Sequence, residues 1–215
     1  MATGESLGSR AVLYELLARL HTYPLDEEVL SNVASLQLKA APPELNAALG
    51  CMKAVAARGR EGVEALNVEA TRLFEGPGKP VAPPYASYHL YRRLMGPPAI
   101  AAYQFYLSTG AAPESGGAIP SDHVAVELGF MAYLAERARR AFEAGDTLGA
   151  RADLDASRRF IDEHLLTWLP RFFEDVVRGA DSDFFTGLAE LAEASVNWDR
   201  QWLEGLRAEH MEGDS

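Results

Sequence analysis

Pro120-Ser121-Asp122-His123-Val124-Ala125-Val126-Glu127-Leu128-Gly129-Phe130-Met131 is the stretch whose reading decides the fold. Val124, Leu128 and Met131 recur at helical spacing behind a turn rich in helix-starting residues. The spacing predicts a long helix from about Ser121 to Ala144, with Ser121 as N-cap and Asp122 in the first turn, facing the positive end of the helix dipole. Glu127 falls among Val124, Leu128 and Met131 on the apolar side, where a carboxylate is costly unless paired. His123, or a hydroxyl of Ser87, Tyr85 or Tyr88, is its expected partner.

Outward from this stretch the same periodicity continues and no alternating strand pattern appears. Leu13, Leu16, Leu17 and Leu20 form one stripe, stopped at Tyr23-Pro24. Further helices are predicted over Asp26 to Leu38, from Pro42-Pro43 to about Ala57, and from Glu61 to Phe74, where Gly76-Pro77-Gly78 ends the run. Others are expected over Ala99 to Leu107, Leu148 to Thr167, Trp168 to Arg178 and Ser182 to Glu209. The fold class is therefore all-α, a single globular multi-helix domain over residues 1–215. Between the helices, residues 76–88 form a Pro-rich aromatic loop. Residues 108–118, rich in small residues, are expected to be a mobile loop and a possible hinge.

With 215 residues and 48% apolar content, the chain can bury a sizeable core without disulfides. Cys51 is the sole cysteine, which excludes an internal disulfide and points to a reducing compartment. No cationic, apolar leader opens the chain and no run reaches transmembrane length, so stable membrane insertion is not expected. Arg92-Arg93, followed by Leu94 to Leu107, has the look of an export segment. However, it lies mid-chain and contains Pro97, Pro98 and Gln104, so it reads as an ordinary internal helix beside two solvated arginines. The formal charge of −11 opposes nucleic-acid binding; it would attract a basic peptide, although acidity by itself is accounted for by solubility.

Catalytic chemistry has little support. His123 and Glu127 share a helix face, yet two ligands do not make a metal site. None of the five histidines has a Glu three residues before it, as a carboxylate-bridged di-iron bundle requires. A small helical hydrolase using Ser87 and His123 is the enzyme alternative, but Ser87 lacks a Gly-x-Ser-x-Gly elbow. No phosphate-cradling glycine loop occurs. The expectation is a protein without catalytic residues, metal or cofactor of its own. Tyr85, Ser87, Tyr88 and His89, stiffened by Pro83-Pro84, instead offer rigid rings with polar tips, a composition that fits a peptide-binding surface and a well-packed structural loop equally.

Four ordered blocks carry a resemblance: Thr71-Arg72-Leu73-Phe74-Glu75-Gly76-Pro77; Pro83-Pro84-Tyr85-Ala86-Ser87-Tyr88; Pro120-Ser121-Asp122-His123 with Glu127-Leu128-Gly129-Phe130-Met131; and His164-Leu165-Leu166-Thr167-Trp168-Leu169-Pro170-Arg171-Phe172. Together they resemble the TorD/DmsD redox-enzyme maturation chaperones. The resemblance implies an all-helical cytoplasmic chaperone that binds the twin-arginine (Tat) signal peptide and the apo form of a molybdenum-cofactor oxidoreductase, delaying Tat export until the cofactor is inserted. NarJ-like relatives, which assemble a nitrate reductase-type molybdoenzyme, are the alternative within the class. By position, Leu73, Phe74, Pro84, Tyr85, Ser87, Asp122 and His123 correspond to the family's peptide-binding region, with Tyr88, His89 and Glu127 adjoining. The apolar members are expected to take the client's apolar segment, and Asp122 and Glu127 its arginines.

Overall fold

The structure is a computed structural model that describes residues 4–38, 43–76, 78–111 and 119–213, excluding the side chains of 209–213. Helices follow one another as α1 (Gly4–Leu20), α2 (Glu27–Ser35), α3 (Pro43–Ala56), α4 (Gly59–Ala70), α5 (Ala86–Tyr91), α6 (Pro97–Ser108), α7 (Val124–Glu143), α8 (Thr147–Phe160), α9 (Leu166–Gly179) and α10 (Asp183–Gly213). Two π-helical turns, Thr71–Glu75 and Ile161–Leu165, extend α4 and α8. Among the described residues there is no strand, only an isolated antiparallel bridge between Tyr85 and His123. The fold is all-α, as the periodicity predicts.

By proximity the chain groups into two compact units. Met1–Ala18, Tyr85–Thr167 and Val196–Ser215 form the first, Arg19–Pro84 and Trp168–Ser195 the second. In the first unit, α7 and α8 make a helical hairpin closed at Gly145, whose φ of 76° suits glycine. Asp146 caps α8 by accepting the Gly149 N–H at 2.9 Å. Leu128, Met131, Leu134, Ala135 and Ala138 line the buried side of α7. Phe130 of the same helix joins the rings of Tyr106 and Phe160 in a buried cluster, with Tyr106–Phe130 and Phe130–Phe160 centroids 4.5 and 4.8 Å apart.

A buried ion pair ties α1 to the C-terminal part of α10. The Arg10 guanidinium donates Nε to Asp199 Oδ1 at 2.6 Å and Nη2 to Oδ2 at 2.9 Å, and Tyr14 adds its hydroxyl to Oδ2 at 2.9 Å. Burial, followed by the Asp199 charge, pushes the Tyr14 hydroxyl well above its ordinary range and keeps it a donor.

The second unit rests on aromatic packing and on side chains that satisfy backbone groups far away in sequence. Phe74 stacks on Tyr23 at 5.0 Å and meets Phe185 edge-on at 5.6 Å. The Asn67 side chain accepts the Leu25 N–H at 2.7 Å and donates to the Leu25 carbonyl at 2.8 Å. Glu69 accepts the N–H groups of Asp181 and Ser182 at 2.7 and 3.0 Å, satisfying donors that precede α10.

Three sequence expectations are corrected. α7 begins at Val124 rather than Ser121, because His123 serves as its N-cap. The aromatic end of the Pro-rich loop, read as irregular, forms α5. The second helix stops at Ser35, three residues short. Most of the expected mobile loop and hinge at 108–118, together with Pro42 and Pro77, lies outside the described residues; Ser108 ends α6 and the chain turns at Gly110.

Asp199→Ala strands the buried Arg10 guanidinium. It is expected to lower unfolding stability by about 3 kcal/mol in a denaturant titration. A loss under about 1 kcal/mol would place the pair among exposed, weakly contributing bridges instead.

Candidate functional site

α5 starts without a cap of its own. Tyr85 occupies its N-cap position in extended conformation (φ −131°, ψ 129°) and offers no side-chain acceptor, so the first N–H groups of the helix need partners from elsewhere. Asp122 supplies both: its carbonyl accepts from Ala86 N–H at 3.0 Å and its Oδ2 from Ser87 N–H at 2.8 Å. A carboxylate at a helix N-terminus also meets the positive end of the dipole. Thus Asp122 stands at a helix start, as the sequence suggests, but the helix is α5, not its own.

The turn that presents Asp122 is fixed on either side. His123 N–H donates to the Pro120 carbonyl at 3.1 Å, and Tyr106 donates its hydroxyl to the Ser121 carbonyl at 2.7 Å. Burial first, then the charges of Glu127 and Asp122, hold the Tyr106 hydroxyl well above its ordinary range. His123 Nδ1 accepts the Ala125 N–H at 3.1 Å, and the His123 carbonyl takes the N–H groups of Val126 and Glu127. Since an amide can only donate, Nδ1 carries a lone pair here and a neutral ring bears its proton on Nε2. The imidazole stands edge-on to the Tyr85 ring, centroids 5.0 Å apart at 76°.

The structure therefore brings together Tyr85, Ser87, Asp122 and His123, with Glu127 one turn into α7. It also places most of them inside. Asp122 and Ser87 are 0% exposed, Glu127 is 1% exposed, and His123 and His89 are buried. Tyr85 and Tyr88 are half-buried. Tyr88 lies edge-on to His89 at 5.6 Å, with the Arg92 guanidinium 5.5 Å from its ring centre. Leu73, Phe74 and Pro84 belong to the second unit, all buried; the Leu73 carbonyl accepts the Ala82 N–H at 2.8 Å, which anchors the Pro-rich loop.

Two consequences follow. The expected contact between Asp122 and client arginines has no exposed carboxylate to make it: Asp122 is fully buried, with Oδ2 engaged at α5 and Oδ1 without a hydrogen-bond partner among the described residues. The hydrolase alternative lacks its central pairing as well: Ser87 Oγ has no hydrogen-bond partner among the described residues, and His123 Nδ1 is committed to Ala125. Nor do the described residues contain any group of three or more metal-ligand side chains.

Sequence reasoning missed the across-chain cap, whose only signal was an uncapped Tyr-Ala-Ser start paired with an Asp that no local helix needs. The π-turns carrying Leu73, Phe74 and His164 were also unforeseen, although such turns concentrate at functional sites.

Comparison with known proteins bears on this geometry. The family described as nitrate reductase delta subunit matches residues 35–174 of the 215. A chaperone protein TorD of Vibrio cholerae is 33% identical over 135 residues, covering 62% of this chain. The match spans 60% of that relative's own length. A TorD of Aliivibrio fischeri is 28% identical over 207 residues, 91% of this chain and 95% of its own. A perchlorate reductase assembly chaperone protein of Dechloromonas aromatica is 32% identical over 93 residues, 43% of this chain and 41% of its own. The crystal structure of an Archaeoglobus fulgidus protein assigned to redox enzyme maturation superposes with a TM-score of 0.52 at 21% identity, over 91% of this chain and 93% of that one, which shows a shared fold. These relatives are named as chaperones and assembly proteins, not catalysts.

The cap makes a direct demand on substitutions. Asp122→Asn keeps an oxygen for Ser87 N–H, whereas Asp122→Ala does not. Hydrogen exchange is expected to show the Ser87 amide protected in the wild type and the Asn variant and exposed in the Ala variant, with a stability loss of about 1–2 kcal/mol. Equal protection in all three would remove the capping role.

Proposed function

From the premise that the chain belongs to the nitrate reductase delta subunit family, we propose that it is a maturation chaperone for a molybdenum-cofactor oxidoreductase and binds the client's twin-arginine signal peptide. It holds the apo-enzyme in the cytoplasm until the cofactor is inserted and Tat export can proceed. The observation that carries this reading is the clamped start of α5. There Tyr85 and Tyr88 present partly exposed rings on a backbone that Asp122 and His123 keep in place. A rigid aromatic edge gains contact area with an unfolded peptide at little entropic cost. The acidic charge of −11 supports attraction of a cationic leader.

No described helix is long and apolar enough to cross a membrane. The chaperone does no chemistry on the client in this reading, and it needs neither metal nor cofactor. Its partners are the leader and the apo-enzyme, with no nucleic acid.

A second reading is favoured by the family's own description: assembly of a nitrate reductase-type enzyme that keeps only a remnant leader, in the NarJ manner. Affinity capture from the native cell separates the two. A captured molybdoenzyme with an N-terminal arginine pair supports export proofreading; one without it supports assembly alone.

Calorimetry with the captured client's leader provides the residue-level check. Tyr85→Ala is expected to weaken binding by about tenfold, with helical content unchanged. Added salt is expected to weaken the wild-type complex, since exposed charges are screened over about 8 Å at physiological ionic strength. Affinity unchanged in the variant would remove the α5 assignment.

A further inference from the structure

α6 turns Ala102, Phe105 and Tyr106 inward. Its opposite side, which includes Ile100, Ala101, Tyr103, Gln104 and Leu107, is exposed and holds no charged residue. A surface helix ordinarily carries its charges there. The segment leading into α6 continues the same character: Leu94 and Met95 are 55% and 75% exposed, against 60% for Ile100. Leu90 and Tyr91, at the end of α5, are exposed as well.

The display is built rather than incidental. Arg92 and Met95 both adopt left-handed backbone, φ 56° and 54°, a conformation that side-chain-bearing residues seldom take. Such strain persists only where the surrounding structure enforces it. Arg92 takes this conformation as the C-cap of α5, its N–H on the Tyr88 carbonyl at 2.8 Å, and a Cβ at Gly96 would stand 3.3 Å from Ser87 Cβ, so the α5–α6 connection lies close against the residue that Asp122 caps. The clamp at α5 and the apolar face of α6 are thus mechanically joined.

Charge narrows the occupant. In a chain with 31 acidic residues, residues 76–113 contain none. Arg92 and Arg93 are exposed and form no ion pair among the described residues. This stretch therefore offers a cationic segment no carboxylate, while an uncharged apolar one meets no charge to desolvate on the exposed side of α6. A second copy of the chain fits poorly, because an isologous contact through this face brings Arg92 and Arg93 of both copies into one interface to which residues 76–113 add no acid. An anionic bilayer fits poorly too, with two cations set against a net charge of −11.

We propose that the exposed side of α6, together with Leu90, Tyr91, Leu94 and Met95, is the docking surface for the apolar stretch of the client's leader, with the leader's arginine pair directed away from Arg92 and Arg93. The proposal rests on the chaperone reading above and assigns leader contact to residues that the sequence comparison of motifs passes over. Tyr85 and Tyr88 then border the surface, and Asp122 acts as a positioning residue.

The test uses the full chain, the leader peptide of the captured molybdoenzyme, and the same peptide cut before its apolar stretch. Leu94→Ser combined with Ile100→Ser is expected to weaken the full leader about tenfold or more. It is expected to leave the truncated leader's weaker affinity unchanged. Both positions are exposed, and circular dichroism checks that the helices persist. Unchanged affinity for the full leader in this variant, with Tyr85→Ala still weakening it, would overturn the α6 assignment while the chaperone reading stands. No measurable affinity of the wild type for either peptide would sink both. A wild-type dimer, or wild-type cosedimentation with phosphatidylglycerol vesicles, that the double variant abolishes would give the face to another occupant and overturn the proposal.

Discussion

The arrangement of α5 depends on one carboxylate used across the chain. Asp122 takes over the first backbone donors of a six-residue helix that cannot cap itself, through its carbonyl to Ala86 and its Oδ2 to Ser87. A helix this short is not stable on its own propensity, so its existence is a tertiary fact. Once the cap is made, Tyr85 must pair with His123, Ser87 must be buried, and the turn at Gly96 must pack on Ser87. The exposed rings and the uncharged side of α6 inherit their positions from that cap.

The same device recurs in the other unit, where Glu69 satisfies the N–H groups of Asp181 and Ser182 and Asn67 clamps Leu25. Polar side chains supplied from far away in sequence thus fix the ends of helices whose middles are held by apolar packing. That division of labour gives a buried acid such as Asp122 a duty inside the fold. It also explains why the acid, the imidazole and the tyrosine act as one unit although only the tyrosine edge is partly exposed.

Much of this was legible in the residues and some was not. The all-α class followed from stripes such as Leu13, Leu16, Leu17 and Leu20, and the start of α2 from Asp26, which caps it by accepting from Val29 N–H. The pairing of residues 83–88 with 120–123 was visible as a resemblance. Its meaning was not, because an acid that caps a distant helix looks, in sequence, like one that caps its own. The charge-free side of α6 was hidden for a different reason: Ala, Ile, Tyr and Leu read as core wherever they occur, and only the fold reveals which of them find no partner. Leu73 and Phe74 show the converse, since residues expected to touch a client serve as core in the second unit.

The central claim is that a capped α5 presents an apolar surface on which an unfolded leader settles without disturbing the cap. Methyl and amide NMR of the full chain titrated with the leader reads both halves at once. The account predicts shifts at the methyls of Leu94, Met95, Ile100 and Leu107, with the Ser87 and Ala86 amides unmoved. Shifts confined to other surfaces, or a Ser87 amide that loses its hydrogen bond as the peptide binds, would contradict it.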